Sequence, residues 1–435
     1  MAIDLSEAAR DKGVDYFLIS FTDLFGTMRA KLVPASAIGP MARDGAGFAG
    51  FATWLDMTPA DSDMFAVPDP DSMMVLPWKP NVAWVAADLY MDGKEVAQAP
   101  RNTLKRLDRM ARAAGYRMRH GVECEYFLVM PDGTAISDPS DVQAKPCYDV
   151  AALMRRYDVI AEVCDAMQAL GWGPYQNDHE DANGQFEMNW DYADCVVTAD
   201  RHAFFKYMVK TIAEKHGLRA TFMPKPFPSL TGNGCHAHVS VWTPDGEDNL
   251  FLDADDEKGI SPLGYSFLGG LLHHAEAMCA ITNPTVNSYK RINAPVTTSG
   301  ATWSPNTVTF GGNNRTHMIR IPDAGRFELR LADGAANPYL LAAAILAAGL
   351  DGVSRKLEPG QRSDFNAYAE PEKLKGAKKL PLNLLDALRA FEANEAFRAA
   401  VGEETCAAYA KLRLAEWNAF KAHLSEWERH TTLDC

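Results

Sequence analysis

The sequence predicts an α+β protein: a small β-rich N-terminal domain, residues 1–100, and a larger domain, residues 101–435, in which strands and helices alternate. Three features predict it. The chain opens on two period-two segments joined by the turn Asp23-Leu24-Phe25-Gly26, which signals a hairpin. From residue 103 onward, helical periodicity alternates with short apolar runs instead of occupying a separate block. A chain of 435 residues is also longer than a single core of ordinary size organises.

Taken in order, residues 6–12 read as a short helix and residues 14–21 and 28–33 as the hairpin strands. Residues 56–82 are rich in Pro, Asp and Met and read as loops. Residues 103–114 carry Leu104, Leu107, Met110, Ala111 and Ala114 at helical spacing, an amphipathic helix. A strand at 121–130 follows, then a helix at 157–170, a strand at 185–192 and a helix at 201–216. Strands at 220–222 and 234–242 precede a helix at 264–281, a strand at 326–331 and a helix at 338–353. Helices at 382–393 and 403–425 close the chain, which has no internal repeat. Residues 295–314 and 359–379 read as mobile, because polar loops of such length are usually functional or disordered.

Composition narrows the classes of partner. Asp plus Glu outnumber Lys plus Arg by 57 to 43, a net charge of -14, which argues against a nucleic-acid backbone. The longest apolar stretch, residues 339–350, is too short to cross a bilayer, so no membrane role is expected. Residues 1–10 hold Asp4 and Glu7 and no apolar run, unlike a signal peptide. Eight cysteines without a C-x-x-C pair then fit a reduced, cytoplasmic chain.

Four constellations carry chemistry. In Glu123-Cys124-Glu125, residues two apart on a strand share a face, and two close carboxylates need solvent, a shared proton or a cation. Alone, the pair fits a solvated edge strand; the apolar run 126–130 makes an interior strand and a metal more plausible. Residues 178–187 gather Asp178, His179, Glu180, Asp181 and Glu187 around Gly184, which fits a polar turn or a site; the alternation of Phe186, Met188 and Trp190 puts Glu187 on a strand's polar face. In residues 232–240, His236, His238 and Ser240 share one face after Gly232 and Gly234, which allow close approach to the backbone. Two such histidines suggest zinc or manganese without requiring either. Last, Lys290, Arg291, Arg315, Arg320, Arg326 and Arg330 supply cations suited to carboxylate and phosphate oxygens. Metal ligands with several arginines suit phosphoryl transfer, and no G-x-x-x-x-G-K-[ST] loop is present.

These residues resemble the glutamine synthetase family. The matching stretches are residues 123–127, 179–187 and 222–226, then 233–238 and 287–291, and finally 313–322, 326–330 and 333–339, in family order along the chain. The resemblance implies an α+β fold with a β-grasp N-terminal domain and a large catalytic domain built on an antiparallel sheet with flanking helices. It also implies ring-shaped homo-oligomers, often dodecamers, with active sites between subunits. One Mg²⁺ or Mn²⁺ would bind Glu125, Glu180 and Glu187, and a second Glu123, His236 and Glu328. Arg291 would hold the glutamate carboxylate, helped by the backbone of Gly232 and Gly234. Arg315 and Arg330 would grip the transferring phosphate, while Tyr192, Ser240, Trp242 and Arg320 would line the ATP site.

Two departures bear on the amine. Ammonia-using members build their ammonium site from two acids, and here Ala49 and Thr297 stand in those places. Residues 45–50, 145–149, 179–187 and 299–303 also resemble bacterial γ-glutamylmethylamide synthetases within the family. The expected reaction is therefore ATP-dependent ligation of glutamate to methylamine, with ammonia or a longer amine as the alternative. At pH 7 on the order of one alkylammonium in a thousand is neutral, so a base is needed. Asp178 is the candidate base, although a turn residue accepting backbone hydrogen bonds fits it equally, and Trp303 is a candidate wall for the methyl group.

Overall fold

The computed structural model describes every residue except Met1, Ala2, Val296, Thr298 and Gly300; the last three fall in the stretch 295–314 read as mobile and lie outside the described residues. The opening hairpin is present. Tyr16–Thr22 pairs antiparallel with Met28–Pro34 and parallel with Val82–Met91, the central strand of a seven-stranded sheet. Asp23 closes the turn, its carboxylate accepting from the backbone N–H of Phe25 and Thr27.

Residues 56–82 are not all loop. Met64–Pro68 and Met74–Val75 both pair with Val82–Met91. Pro68 ends its strand and Pro70 starts a 3-10 turn, so dense Pro/Asp punctuation hid strands of five and two residues. The central strand gives little alternation because most of its residues are buried.

The larger region holds two sheets whose pairings are antiparallel except at one edge. A six-stranded sheet contains Arg117–Cys124, Cys235–Trp242 and Phe327–Leu329 side by side. A four-stranded sheet contains Pro174–His179, Gln185–Trp190, Tyr126–Val129 and Arg219–Thr221. The strand expected at 121–130 is therefore two strands in different sheets, broken at Glu125, whose N–H bonds Gly234 O at 3.2 Å. The helix expected at 264–281 is also two, Pro262–His273 and Ala275–Thr282, parted at His274. That imidazole is buried against Asp351 at 2.7 Å and Asn394 at 2.9 Å, and these bonds fix the break.

Pro338–Arg355 is the core helix, buried over most of its length. Asn337 caps it by accepting from Tyr339 and Leu340 N–H, with Pro338 at the first turn. Asn337 Nδ2 also donates to Asp23 O at 2.8 Å, tying the core to the opening hairpin. The helix lies so close to Pro262–His273 that a Cβ on Gly270 would sit 2.1 Å from Ala348 O.

A buried ion cluster joins the first sheet to the helices Pro100–Ala113 and Cys195–Lys215. Arg101 binds Asp200 at 2.9 Å, Asp69 at 2.9 Å and Asp88 at 2.5 Å. Removing one partner of a buried pair strands the others, at about 3–5 kcal/mol. Arg101→Met is expected to destabilise by about that amount, read as a lower urea midpoint.

Candidate active site

The break at Glu125 builds the site. Glu123 sits directly opposite His236 in the Arg117–Cys124 and Cys235–Trp242 pair. His236 Nδ1 lies 3.3 Å from Glu123 and 3.5 Å from Glu328, and its Nε2 lies 3.9 Å from Glu125. Glu125 follows with its N–H bonded to Gly234 O, still in the register of that pair, and leads into Tyr126–Val129, an interior strand of the second sheet. Glu187 comes from Gln185–Trp190, and Glu180 from the turn whose N–H bonds Gln185 O.

The donor atoms converge as two overlapping sets. Oxygens of Glu125, Glu180 and Glu187 lie within 4.8 Å of one another, as do donors of Glu123, Glu187 and His236. A further set is Glu123, His238 and Glu328. His238, read earlier only as sharing the face of His236, bonds Glu123 at 2.8 Å and Arg326 at 2.6 Å. Gly234 is required here: a Cβ would lie 2.7 Å from His236 Nε2, 2.9 Å from Glu125 Oε1 and 3.0 Å from Arg291 Nη2. At Gly232 a Cβ would meet Pro224 O at 2.2 Å.

Electrostatics fit a cation. Burial pushes Glu125 up to about 7, against the pull of Arg291. Burial and neighbouring carboxylates push Glu180 and Glu187 well above the usual carboxylate range. Burial would also raise Glu123, yet hydrogen bonds to His236 and His238 hold it low. Burial and Arg330 hold His236 down to about 4, leaving a neutral imidazole whose buried Nε2 has no hydrogen-bond partner among the described residues. Crowded buried carboxylates beside such a nitrogen are disfavoured without positive charge and suit hard divalent ions.

The sign of the pH dependence follows. A raised carboxyl gives stability that is present below about pH 4.5 and is lost as pH rises through about 7. Protons and metal compete for the same oxygens and for His236. The rise in Tm produced by Mg²⁺ over the metal-free protein is expected to grow from about pH 5 to about pH 8, measured by scanning calorimetry. A constant increment contradicts this.

Two joined cavities surround the donors. The smaller, about 200 Å³, is lined by the acids together with Asp178, Thr231, Gly232, Arg291, Trp303 and Arg330. The larger, about 620 Å³, is lined by Tyr192, Ser240, Trp242 and Arg320. Arg315 and Glu123 border both. Ser240 accepts from Trp242 Nε1 at 2.9 Å, and Arg119 lies over the Trp242 ring at 4.5 Å. Arg330 is buried beside Glu328, and its Nε has no hydrogen-bond partner among the described residues. Asp178 faces the smaller cavity with Oδ1 unpartnered; burial, then Glu123, pushes it up to about 6. Ala49 lines neither cavity.

Sequence reasoning missed Asp181 as an anchor. Its Oδ2 accepts from Trp303 Nε1 at 2.6 Å, from Thr231 Oγ1 at 3.0 Å and from Ser299 Oγ. Thr297 stands 3.4 Å from Thr231 and 3.1 Å from Ser299. Trp303 has φ +54, a left-handed conformation unusual for a bulky residue, consistent with a loop held by its contacts. The acidic run beside the loop's Ser and Thr was the available signal, but only the fold joins positions more than a hundred residues apart.

Residues 97–432 match the family model described as glutamine synthetase, catalytic domain. The chain is 64% identical over 434 residues to a glutamine synthetase of Rhizobium leguminosarum bv. phaseoli, covering 100% of both chains. It is 41% identical to a glutamate–methylamine ligase of Methyloversatilis universalis, covering 98% of this chain and 97% of the relative. A solved structure described as a GmaS/ADP complex superposes with a TM-score of 0.96 at 66% identity, covering 99% of this chain and 100% of the other.

Proposed function

The chain belongs to the glutamine synthetase family, and from that premise we propose that it ligates glutamate to methylamine at the expense of ATP. The GmaS structure, a γ-glutamylmethylamide synthetase, and the methylamine ligase relative support this reading. The observation that carries it is the network behind the Thr231 and Trp303 wall of the smaller cavity. Thr297 offers a hydroxyl where an ammonium site needs an acid, and the nearby Asp181 carboxylate is occupied by Trp303, Thr231 and Ser299.

In the proposed reaction, the γ-carboxylate of glutamate takes the γ-phosphoryl group of ATP, releasing ADP. The amine then attacks the acyl carbonyl and phosphate leaves, giving N5-methyl-L-glutamine. Arg291, with the Gly232 and Gly234 backbone, would hold glutamate in the smaller cavity. Tyr192, Ser240, Trp242 and Arg320 would seat ATP in the larger one. Arg315 and Arg330 would hold the phosphoryl group where the cavities meet, with Arg330 aimed by Glu328. Asp178 would take the proton of the alkylammonium. Two Mg²⁺ or Mn²⁺ ions, held by Glu125, Glu180 and Glu187 and by Glu123, His236 and Glu328, would supply neutralisation of phosphate charge.

The active form proposed is a ring homo-oligomer, a dodecamer, in the cytoplasm. Half-exposed Phe51 and Trp54, close to Ala49, mark a surface that a neighbouring chain would cover. Among the described residues no helix is long and apolar enough to cross a membrane.

The second reading is ammonia as the amine, favoured by the glutamine synthetase name of the 64% identical relative. Turnover with methylamine, ammonia or ethylamine as sole amine, at fixed glutamate and ATP, separates the two. Methylamine is expected to give the highest kcat/KM; ammonia in first place would support the second reading.

A further inference from the structure

The strand pair that carries Glu123 and His236 has a second face. One ladder position on, one residue after Glu123 and one before His236, Cys124 stands directly opposite Cys235 in the antiparallel register. Because side chains alternate, these cysteines point away from the acids and into the core. There the helix Cys195–Lys215 brings His202 against them, with Nε2 3.8 Å from Cys235 Sγ. The donors of Cys124, His202 and Cys235 all lie within 4.8 Å of one another, and all three residues are buried.

We propose that Cys124, His202 and Cys235 form a structural site for a thiophilic divalent cation of the zinc class, back to back with the carboxylate-rich catalytic site. Donor type separates the two sites: thiolate and imidazole select soft or borderline metals, whereas Mg²⁺ and Mn²⁺ prefer carboxylates. Tetrahedral zinc, with bonds of about 2.3 Å to sulfur and about 2.0 Å to nitrogen, places a ligated S and N about 3.6 Å apart. The measured S to N distance of 3.8 Å needs little adjustment. Two thiolates also cancel the charge of a dication, so the complex is neutral and suited to a dry core.

Behind the cluster, the buried His202 Nδ1 has no hydrogen-bond partner among the described residues, so the imidazole is not engaged elsewhere through that atom. With three protein ligands, a fourth, non-protein ligand such as water would complete the tetrahedron. The ion would link the Arg117–Cys124 and Cys235–Trp242 strands to the helix behind them, fixing the pair whose other face aligns Glu123 with His236.

The test uses the full-length chain produced with cobalt(II) or zinc and then exchanged into excess Mg²⁺, which clears the carboxylate sites. The expected result is about one retained cobalt per chain with a thiolate-to-metal charge-transfer band, lost in a Cys124→Ser/Cys235→Ser double variant. Carboxylate and imidazole ligands alone do not produce that band. A wild-type protein without retained metal, or a band that survives in the double variant, overturns the proposal. A disulfide mapped between Cys124 and Cys235 by mass spectrometry after non-reducing digestion also overturns it. If the double variant does not fold, X-ray absorption on the zinc-loaded wild type decides: sulfur scatterers support the site, and only nitrogen and oxygen contradict it.

Discussion

Glu187→Ala is expected to lower kcat by about 10³-fold at saturating Mg²⁺, a loss of about 4 kcal/mol of transition-state stabilisation. Glu187 belongs to both donor sets, with Glu125 and Glu180 on one side and Glu123 and His236 on the other. Its loss therefore removes a ligand of the proposed Glu125, Glu180 and Glu187 position and a carboxylate beside Glu123 and His236 of the other. The same substitution should leave the metal-free fold at least as stable as the wild type. In that state Glu187 is buried and pushed up by burial, then by Glu123, Glu180 and Glu125, so alanine removes a poorly placed acid. Its hydrogen bond from Asn189 is a small opposing loss. The check is kcat against Mg²⁺ concentration together with Tm in chelator. Unchanged turnover contradicts the placement of the metals.

Asp181→Ala is expected to reduce kcat/KM for the amine by about 10²-fold while KM for ATP stays within about twofold. The carboxylate collects Trp303, Thr231 and Ser299, of which Trp303 and Thr231 line the smaller cavity. Alanine leaves those donors without an acceptor, and each buried orphan costs about 1–3 kcal/mol in the closed arrangement. The larger cavity, the proposed ATP site, is lined by Tyr192, Ser240 and Trp242, which make none of these contacts, so ATP binding should be spared. Asp181→Asn keeps one acceptor oxygen and should recover part of the loss. Equal losses in ATP and amine parameters would show general loosening instead of a role in holding the loop.

Much of the site was legible in the sequence because its acids fall in short, dense runs. Glu180 and Glu187 flank Gly184, and His236 follows Gly232 and Gly234. The donors of Glu125, Glu180 and Glu187 converge; His236 lies near Glu123 and Glu328, although His238 is the histidine whose donor groups with those two acids, and Tyr192, Ser240, Trp242 and Arg320 share one cavity. What the sequence obscured was how Glu123 and Glu125 meet. An apolar run continuing through residues 126–130 reads as one strand, since periodicity carries no sign of which sheet receives it. Glu125 still donates to Gly234 O, the next register position after Cys124 and Cys235, and the chain pairs with the second sheet only from Tyr126. The split at His274 likewise rests on distant residues, in bonds to Asp351 and Asn394. Asp181 and the cluster of Cys124, His202 and Cys235 were invisible for that reason too: each is an assembly of distant residues with no local spacing to mark it.

The central claim is that the amine pocket is built for methylamine. Supplying methylamine and ammonia together, at equal total concentration with glutamate and ATP in excess, tests it in one vessel. The ratio of N5-methylglutamine to glutamine, read by mass spectrometry at low conversion, equals the ratio of the two kcat/KM values. The account predicts N5-methylglutamine as the main product. Glutamine in excess would contradict it.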